Sequence, residues 1–194
     1  MILKRMLPFS KELLERACIK GDVVIDATMG NGHDTIFLAD LVGQNGHVYA
    51  FDIQQEAIAH TQNRLGIHYP QVHLIHDGHE ELSTYIPESF QGQIAAAVFN
   101  LGYLPGGDKS VTTTAQTTIK AIKQLLHLLK PEGIIILVIY HGHPEGKIEK
   151  DALLAYCESL DHELVQVLSY QYVNIKNDPP FVVAIEKSSN PKWI

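Results

Sequence analysis

Five apolar, β-branched runs separated by stretches of helical length constrain this chain more than any other feature. They are "VVIDA" (23–27), "HVYAF" (47–51), "VHLIH" (72–76), "IAAAVF" (94–99) and "GIIILVIY" (133–140). Runs with so little polar character belong in a sheet covered on both faces, and their alternation with helices predicts parallel strands. The stretches between them, at about 33–43, 54–66, 112–129 and 147–159, have helical length and apolar spacing. A leading helix at about 9–19 is expected after Pro8, with Ser10 as its N-cap. Beyond residue 160 the pattern changes. "ELVQVLSYQYV" (163–173) and "FVVAIEK" (181–187) flank the turn-rich "NIKNDPP", which has no room for a crossover helix, so an antiparallel hairpin closes the sheet. With no repeat, low-complexity tract or linker, residues 1–194 are expected to form one domain.

Composition narrows the partners. A formal net charge of −7 provides no global positive field for DNA or a membrane, so an anionic partner must be gripped locally. The basic cluster Lys4, Arg5, Lys11, Arg16 and Lys20 reads first as a solvated helix face that also carries Glu12 and Glu15. Cys18 and Cys157 stand far apart without ligand-like spacing, which argues against a disulfide framework or structural zinc and fits a reducing cytoplasm. No signal-peptide pattern and no apolar run of roughly 20 residues is present, so a soluble, unexported protein is expected.

The stretch "VVIDATMGNGHDTIFLADL" passes from strand through two glycines into a helix, the arrangement in which a ligand approaches the backbone at a helix N-terminus. Asp52 ends the second strand, placed to accept hydrogen bonds from both hydroxyls of a ribose, so the pair indicates an adenosine-containing cofactor. The third glycine of the dinucleotide fingerprint is replaced by Thr35. Asp26, just ahead of the glycines, would repel a pyrophosphate but attract a sulfonium and an ammonium. At an effective dielectric near 20, a charge pair about 4 Å apart is worth on the order of 4 kcal/mol, so the ligand's sign matters. Asp26 can also cap the loop amides, and both roles can coexist.

"DATMGNGHDT", "AFDIQ" and the hairpin-terminated α/β order resemble the class I S-adenosylmethionine-dependent methyltransferases over nearly the whole chain. The resemblance implies a Rossmann-like α/β fold with a seven-stranded, mostly parallel sheet of order 3-2-1-4-5-7-6 and helices on both faces. It implies S-adenosylmethionine as cofactor and S-adenosylhomocysteine as product. Gly30, Asn31 and Gly32 would wrap the methionine part, and Asp26, Thr28, His33, Asp34, Thr35, Asn100 and Leu101 are the further cofactor-binding candidates around it. Asp52 would hold the ribose, Ile53 and Gln54 would lie along the adenine, and Asp77, Gly78 and His79 would stand near the base. His79 can also be a cap of the following helix.

Methyltransferases acting on amino groups carry Asn/Asp-Pro-Pro-aromatic after the fourth strand, and Asn100-Leu101-Gly102-Tyr103 resembles that motif with Leu-Gly in place of Pro-Pro. By its pattern the Asn100 amide oxygen and the Leu101 carbonyl hold the amine and Tyr103 packs on the base. Gly102, Pro105 and Lys109 follow in the same loop, Lys109 as a phosphate contact alongside the N-terminal cluster. "NDPPF" (177–181) matches the string more literally but lies in the final hairpin, where Asp178 and Phe181 could wall the substrate pocket or simply shape the turn. His141 and His143 in "YHGHPEG" could orient or deprotonate an amine, or be structural; a metal role lacks a third ligand.

Taken together, "DATMGNGHDT", "FNLGYLPGGDKS", "YHGHPEG" and "NDPPF" resemble a bacterial family once labelled rRNA methylases and now associated with tRNA wobble-uridine modification, the 5-aminomethyl-2-thiouridine methyltransferases. The resemblance implies methylation of the exocyclic amine at position 34, with the tRNA anticodon stem-loop as partner and in-line attack of a neutral amine on the methyl carbon. Rival readings are an rRNA or small-molecule N-methyltransferase, a non-catalytic cofactor-binding module and, last, an NAD-dependent oxidoreductase. Pairing as a homodimer is left open.

Overall fold

The computed structural model describes residues 2–104, 106 and 111–189. Seven strands form one sheet: β1 (Val23–Asp26), β2 (His47–Asp52), β3 (Val72–His76), β4 (Ile94–Leu101), β5 (Leu129–Ile139), β6 (Val165–Tyr170) and β7 (Phe181–Lys187). Their order is β3-β2-β1-β4-β5-β7-β6, with β7 antiparallel to both of its neighbours and the other pairings parallel. Successive residues of a strand face opposite sides. In β4, Ile94 through Phe99 are each no more than 1% exposed, so both faces of the sheet centre are covered. Full burial of each large side chain here contributes roughly 1.5–3 kcal/mol.

The helices are α1 (Met6–Ala17), α2 (His33–Val42), α3 (Gln55–Leu65), the single-turn α4 (Leu82–Tyr85), α5 (Ala115–Leu128) and α6 (Pro144–Glu158). Helix α1 begins earlier than the spacing predicts, because Pro8 sits in its first turn, where a missing N–H loses no intrahelical bond. Ser10 is therefore no N-cap. Its buried hydroxyl donates to the Leu7 carbonyl at 2.8 Å, and Arg5 holds the cap position. Helix α6 also starts early, with His143 as cap and Pro144 in its first turn. Strand β5 begins at Leu129, not 133: Leu129 pairs with Ile94, and the register then slips before Ile134 pairs with Ala96, so "KPEG" bulges out with Glu132 at φ 62°. Cys18 and Cys157 are free and buried, and burial pushes their thiols up to about 12 and about 11.

Candidate active site

A cavity of about 1420 Å³ opens at the carboxyl ends of β1 to β5, with Lys4, Leu7, Pro8 and Lys11 from α1 as its outer wall. Half of it is built around the glycine loop. Gly30 (φ 49°) and Gly32 (φ 79°) take the left-handed conformation that other residues avoid. Helix α3 holds the loop from below: the Thr61 hydroxyl donates to the Gly30 carbonyl at 3.0 Å, Arg64 Nε donates to the Asn31 carbonyl at 2.8 Å, and His60 Nδ1 lies 3.1 Å from Asn31 Oδ1. Asp52 accepts from the Gly30 N–H at 3.0 Å and the Gln54 N–H at 2.9 Å, and burial raises its carboxyl above the ordinary range. Across the cavity Asp77 accepts from the Tyr85 hydroxyl, which lowers its pKa. The His79 imidazole is 8% exposed, with Nδ1 3.1 Å from the Ala27 carbonyl. A carbonyl only accepts, so Nδ1 carries the hydrogen and Nε2 is a bare acceptor, buried and without a partner among the described residues.

The other half begins at the end of β4. Asn100 Nδ2 donates to Asp34 Oδ2 at 2.8 Å, and the Asn100 N–H donates to the Thr28 hydroxyl at 2.7 Å. Lys11 Nζ lies 4.0 Å from Asp34 Oδ1 and 4.7 Å from the centre of the Phe37 ring. Tyr103, 40% exposed, pairs with Thr112 through an isolated bridge, and its ring centre is 5.7 Å from that of His143. His143 Nδ1 accepts from the Gly146 N–H at 3.1 Å, capping α6. His141 Nε2 lies 3.1 Å from the Pro179 carbonyl, which leaves Nδ1 3.9 Å from Asp178 Oδ1. Asp178 also pairs with Lys147 at 2.9 Å, and that ammonium lowers its pKa.

A cavity of this kind, spread over the strand ends on either side of β1 and β4, is where open α/β sheets bind their ligands. Residues 48–186 match the family model described as "Putative rRNA methylase". The chain belongs to this family. It is 42% identical over 156 residues to the chloroplastic tRNA (mnm(5)s(2)U34)-methyltransferase of Arabidopsis thaliana, a match covering 75% of this chain and 56% of that protein. The chain thus spans little more than half the length of that relative. Among solved structures, a "putative rRNA-methylase" from Clostridium thermocellum superposes with a TM-score of 0.91 at 42% identity, over 95% of this chain and 98% of that one. A "putative methyltransferase" from Streptococcus mutans "in complex with SAH" superposes with a TM-score of 0.85, also at 42% identity and the same coverage.

In this family member the cavity is lined by Thr28, Gly30, Asn31, His33, Asp34, Asp52, Ile53, Gln54, Asp77, Gly78, His79, Asn100, Gly102, Tyr103, His141, His143 and Asp178, all expected from the sequence. Five expected residues do not line it. Asp26 is fully buried beneath the loop, accepting from the Thr35 hydroxyl at 2.6 Å and the Thr28 N–H at 3.3 Å, so its direct contact with a ligand is corrected to a loop-holding role. Thr35 is turned inward by the same bond. Gly32 faces α3: a Cβ there would lie 2.8 Å from the Thr61 hydroxyl oxygen, so its missing side chain serves packing, not a ligand. Leu101 is fully buried, and its carbonyl accepts the Tyr140 N–H at 3.2 Å, which takes it out of an amine clamp. Phe181 is 4% exposed and reaches the site only through its edge contact with His141. His79 is no helix cap, since its ring turns to Ala27. Pro105 and Lys109 lie outside the described residues.

Sequence reading missed Leu104, Tyr140, the threonines at 112–114 and the α1 wall. "VTTT" (111–114) directly follows the quoted "FNLGYLPGGDKS", but nothing local says that Thr112 returns to pair with Tyr103. Lys4 and Lys11 were read first as a solvated face and then as phosphate contacts. They line the cavity while staying partly exposed, with Lys4 paired to Glu12 at 2.8 Å.

Proposed function

We propose that the protein is an S-adenosylmethionine-dependent methyltransferase that methylates the exocyclic amine of 5-aminomethyl-2-thiouridine at wobble position 34 of tRNA, giving 5-methylaminomethyl-2-thiouridine. The observation that carries this reading is the bond from Asn100 Nδ2 to Asp34. It commits one of the amide's two N–H groups to Asp34 and turns the carbonyl oxygen, an acceptor, toward a ligand. A carbonyl oxygen accepts an amine N–H without engaging the nitrogen lone pair, so it orients an amine for attack. The Asp34 carboxylate behind it suits an amine that arrives as an ammonium and favours positive charge in the cavity.

The cofactor half fits S-adenosylmethionine. Among the described residues that line the whole cavity, acids such as Asp34, Asp52 and Asp77 outnumber the two lysines, which suits a cationic ligand better than a pyrophosphate. The bare Nε2 of His79 is a buried acceptor awaiting a donor. When bound, the cofactor supplies a methyl group on a positively charged sulfur. We assign Asp52 to the ribose hydroxyls, Ile53 to the adenine face, and Asp77 to His79 to the base edge. Tyr103 would stack on the unpaired wobble base, as aromatic rings do in RNA loops. His143 is occupied as a helix cap, so His141, with Nδ1 beside Asp178, is the better candidate for the amine's proton. Lys4 and Lys11 at the rim are the candidate phosphate contacts.

The name of the Arabidopsis relative and the SAH of the Streptococcus mutans protein support the same substrate and cofactor. The family description favours ribosomal RNA as the second reading. Nucleoside mass spectrometry of tRNA from cells lacking the gene decides between them. Aminomethyl-thiouridine is expected to accumulate without its N-methylated product; unchanged tRNA with a methyl missing from rRNA would replace the first reading by the second.

A further inference from the structure

The described residues contain two carboxylates less than 5% exposed, Asp26 and Glu149. Asp26 belongs to the glycine loop, but Glu149, in α6, does not line the cavity and has no part in the chemistry above. It accepts from the Thr113 hydroxyl at 2.7 Å and from the Thr118 hydroxyl at 3.0 Å. Among the described residues no cation forms an ion pair with it; burial pushes its carboxyl above the ordinary range, against the two threonine bonds and the nearby His143, which act to lower it. Burying a carboxylate with only neutral donors is costly, and an apolar side chain would fill the seam between α5 and α6 at less expense. What Glu149 provides instead is a polar tie from α6 to α5 and to the 111–114 segment ahead of it.

That tie ends at the acceptor side of the cavity. Thr113 donates its N–H to the Gly102 carbonyl at 3.2 Å, and its neighbour Thr112 pairs with Tyr103. Thr118 fixes the same carboxylate to the body of α5, where it is fully buried. Across the Tyr103 ring stands His143, the cap of α6. Tyr103 is therefore held between two groups that both depend on α6: one through Glu149 and Thr113, the other through the helix cap.

We propose that Glu149 is a positioning residue for the methyl acceptor, fixing the 111–114 segment and through it the Tyr103 ring against which the incoming base is stacked; this rests on the RNA-amine reading above. Without the carboxylate, the segment loses its anchor while the glycine loop, on the far side of the cavity, keeps all of its bonds.

The test uses the full chain with E149A, E149Q and T118V. Three quantities are read: methyl transfer to anticodon stem-loop RNA carrying aminomethyl-thiouridine, cofactor affinity by calorimetry, and amide hydrogen exchange at 111–114. E149A is expected to raise the RNA KM about tenfold, to leave cofactor affinity within about twofold, and to speed Thr113 exchange at least about tenfold while core amides hold. E149Q, which can accept from one threonine and donate to the other, should recover most of the KM, and T118V should show a smaller version of the E149A effect. An E149A protein with unchanged KM overturns the proposal, as does one in which kcat, cofactor affinity and core exchange all deteriorate together. If E149A does not fold, a T118V protein with wild-type KM and Thr113 exchange overturns it. A wild-type protein that transfers no methyl to this RNA overturns the functional reading and this inference with it, whereas an active wild type matched by E149A overturns this inference alone.

Discussion

A buried carboxylate stands behind each half of the cavity, and the two are held in different ways. Asp26 takes its donors from residues two and nine positions along the same strand–loop–helix passage, whereas Glu149 takes its donors from a loop and a helix 36 and 31 positions away. Around Asp26 the cofactor half is a local construction, to which α3 and the ends of β2 and β3 add Thr61, Asp52 and His79. The acceptor half is assembled from the end of β4, the 111–114 segment, the start of α6 and the final hairpin, which meet only after the sheet has formed. A locally built half should tolerate change elsewhere in the chain, and an assembled half should not.

The largest effect expected is on turnover. Asn100→Ala should lower kcat about a hundredfold or more with cofactor affinity nearly unchanged, because it removes the oxygen that aligns the amine. Calorimetry beside single-turnover transfer checks this, and normal turnover would remove Asn100 from the acceptor half. Asp52→Ala should act on the opposite half, weakening cofactor binding roughly 10- to 100-fold through the loss of charged hydrogen bonds while the RNA KM holds. Unchanged binding would contradict the ribose assignment.

Smaller effects bear on how each half is built. Gly32→Ala should lower stability by about 1–2 kcal/mol, since φ 79° strains any side chain and the new Cβ meets Thr61 of α3. Chemical denaturation measures it, and a neutral outcome would show that α3 does not brace the loop. Stability should also depend on pH through Asp26. Burial, then the neighbouring Asp34 charge, pushes its pKa up from 3.8 to about 7, so the folded chain keeps a proton that the unfolded chain has released. Stability should therefore fall as pH rises from about 4 to about 7 and level off above that. Asp26→Asn should flatten this slope; an unchanged slope would place the titrating group elsewhere, with Glu149, shifted in the same direction, as the next to examine.

The same contrast explains what could be read from the sequence. Asp52, Gly30, Asn31 and His79 were legible because each lies at or just beyond a strand end, and strand ends are marked by hydrophobic pattern. Asp26 was legible as a carboxylate but not as a buried one, because its sign argument takes no account of the Thr35 hydroxyl that turns it inward. The carboxylate of this loop–helix passage that does face the cavity is Asp34, one residue earlier than Thr35. Leu101 was misread because β4 runs on to pair with Ile139, which places its carbonyl in the ladder. Glu149 gave no signal at all: one acid in a helix with several charged neighbours looks like a solvated face until the partner threonines arrive.

By itself the sequence determined the strands, the closing hairpin and the rim at which the cavity opens, because periodicity and strand-end glycines act over a few residues and need no distant partner. Tertiary structure alone decided which carboxylates are buried, which carbonyls are already occupied, and how Tyr103 is held. Those outcomes depend on contacts between segments far apart in the chain, and no local pattern encodes them.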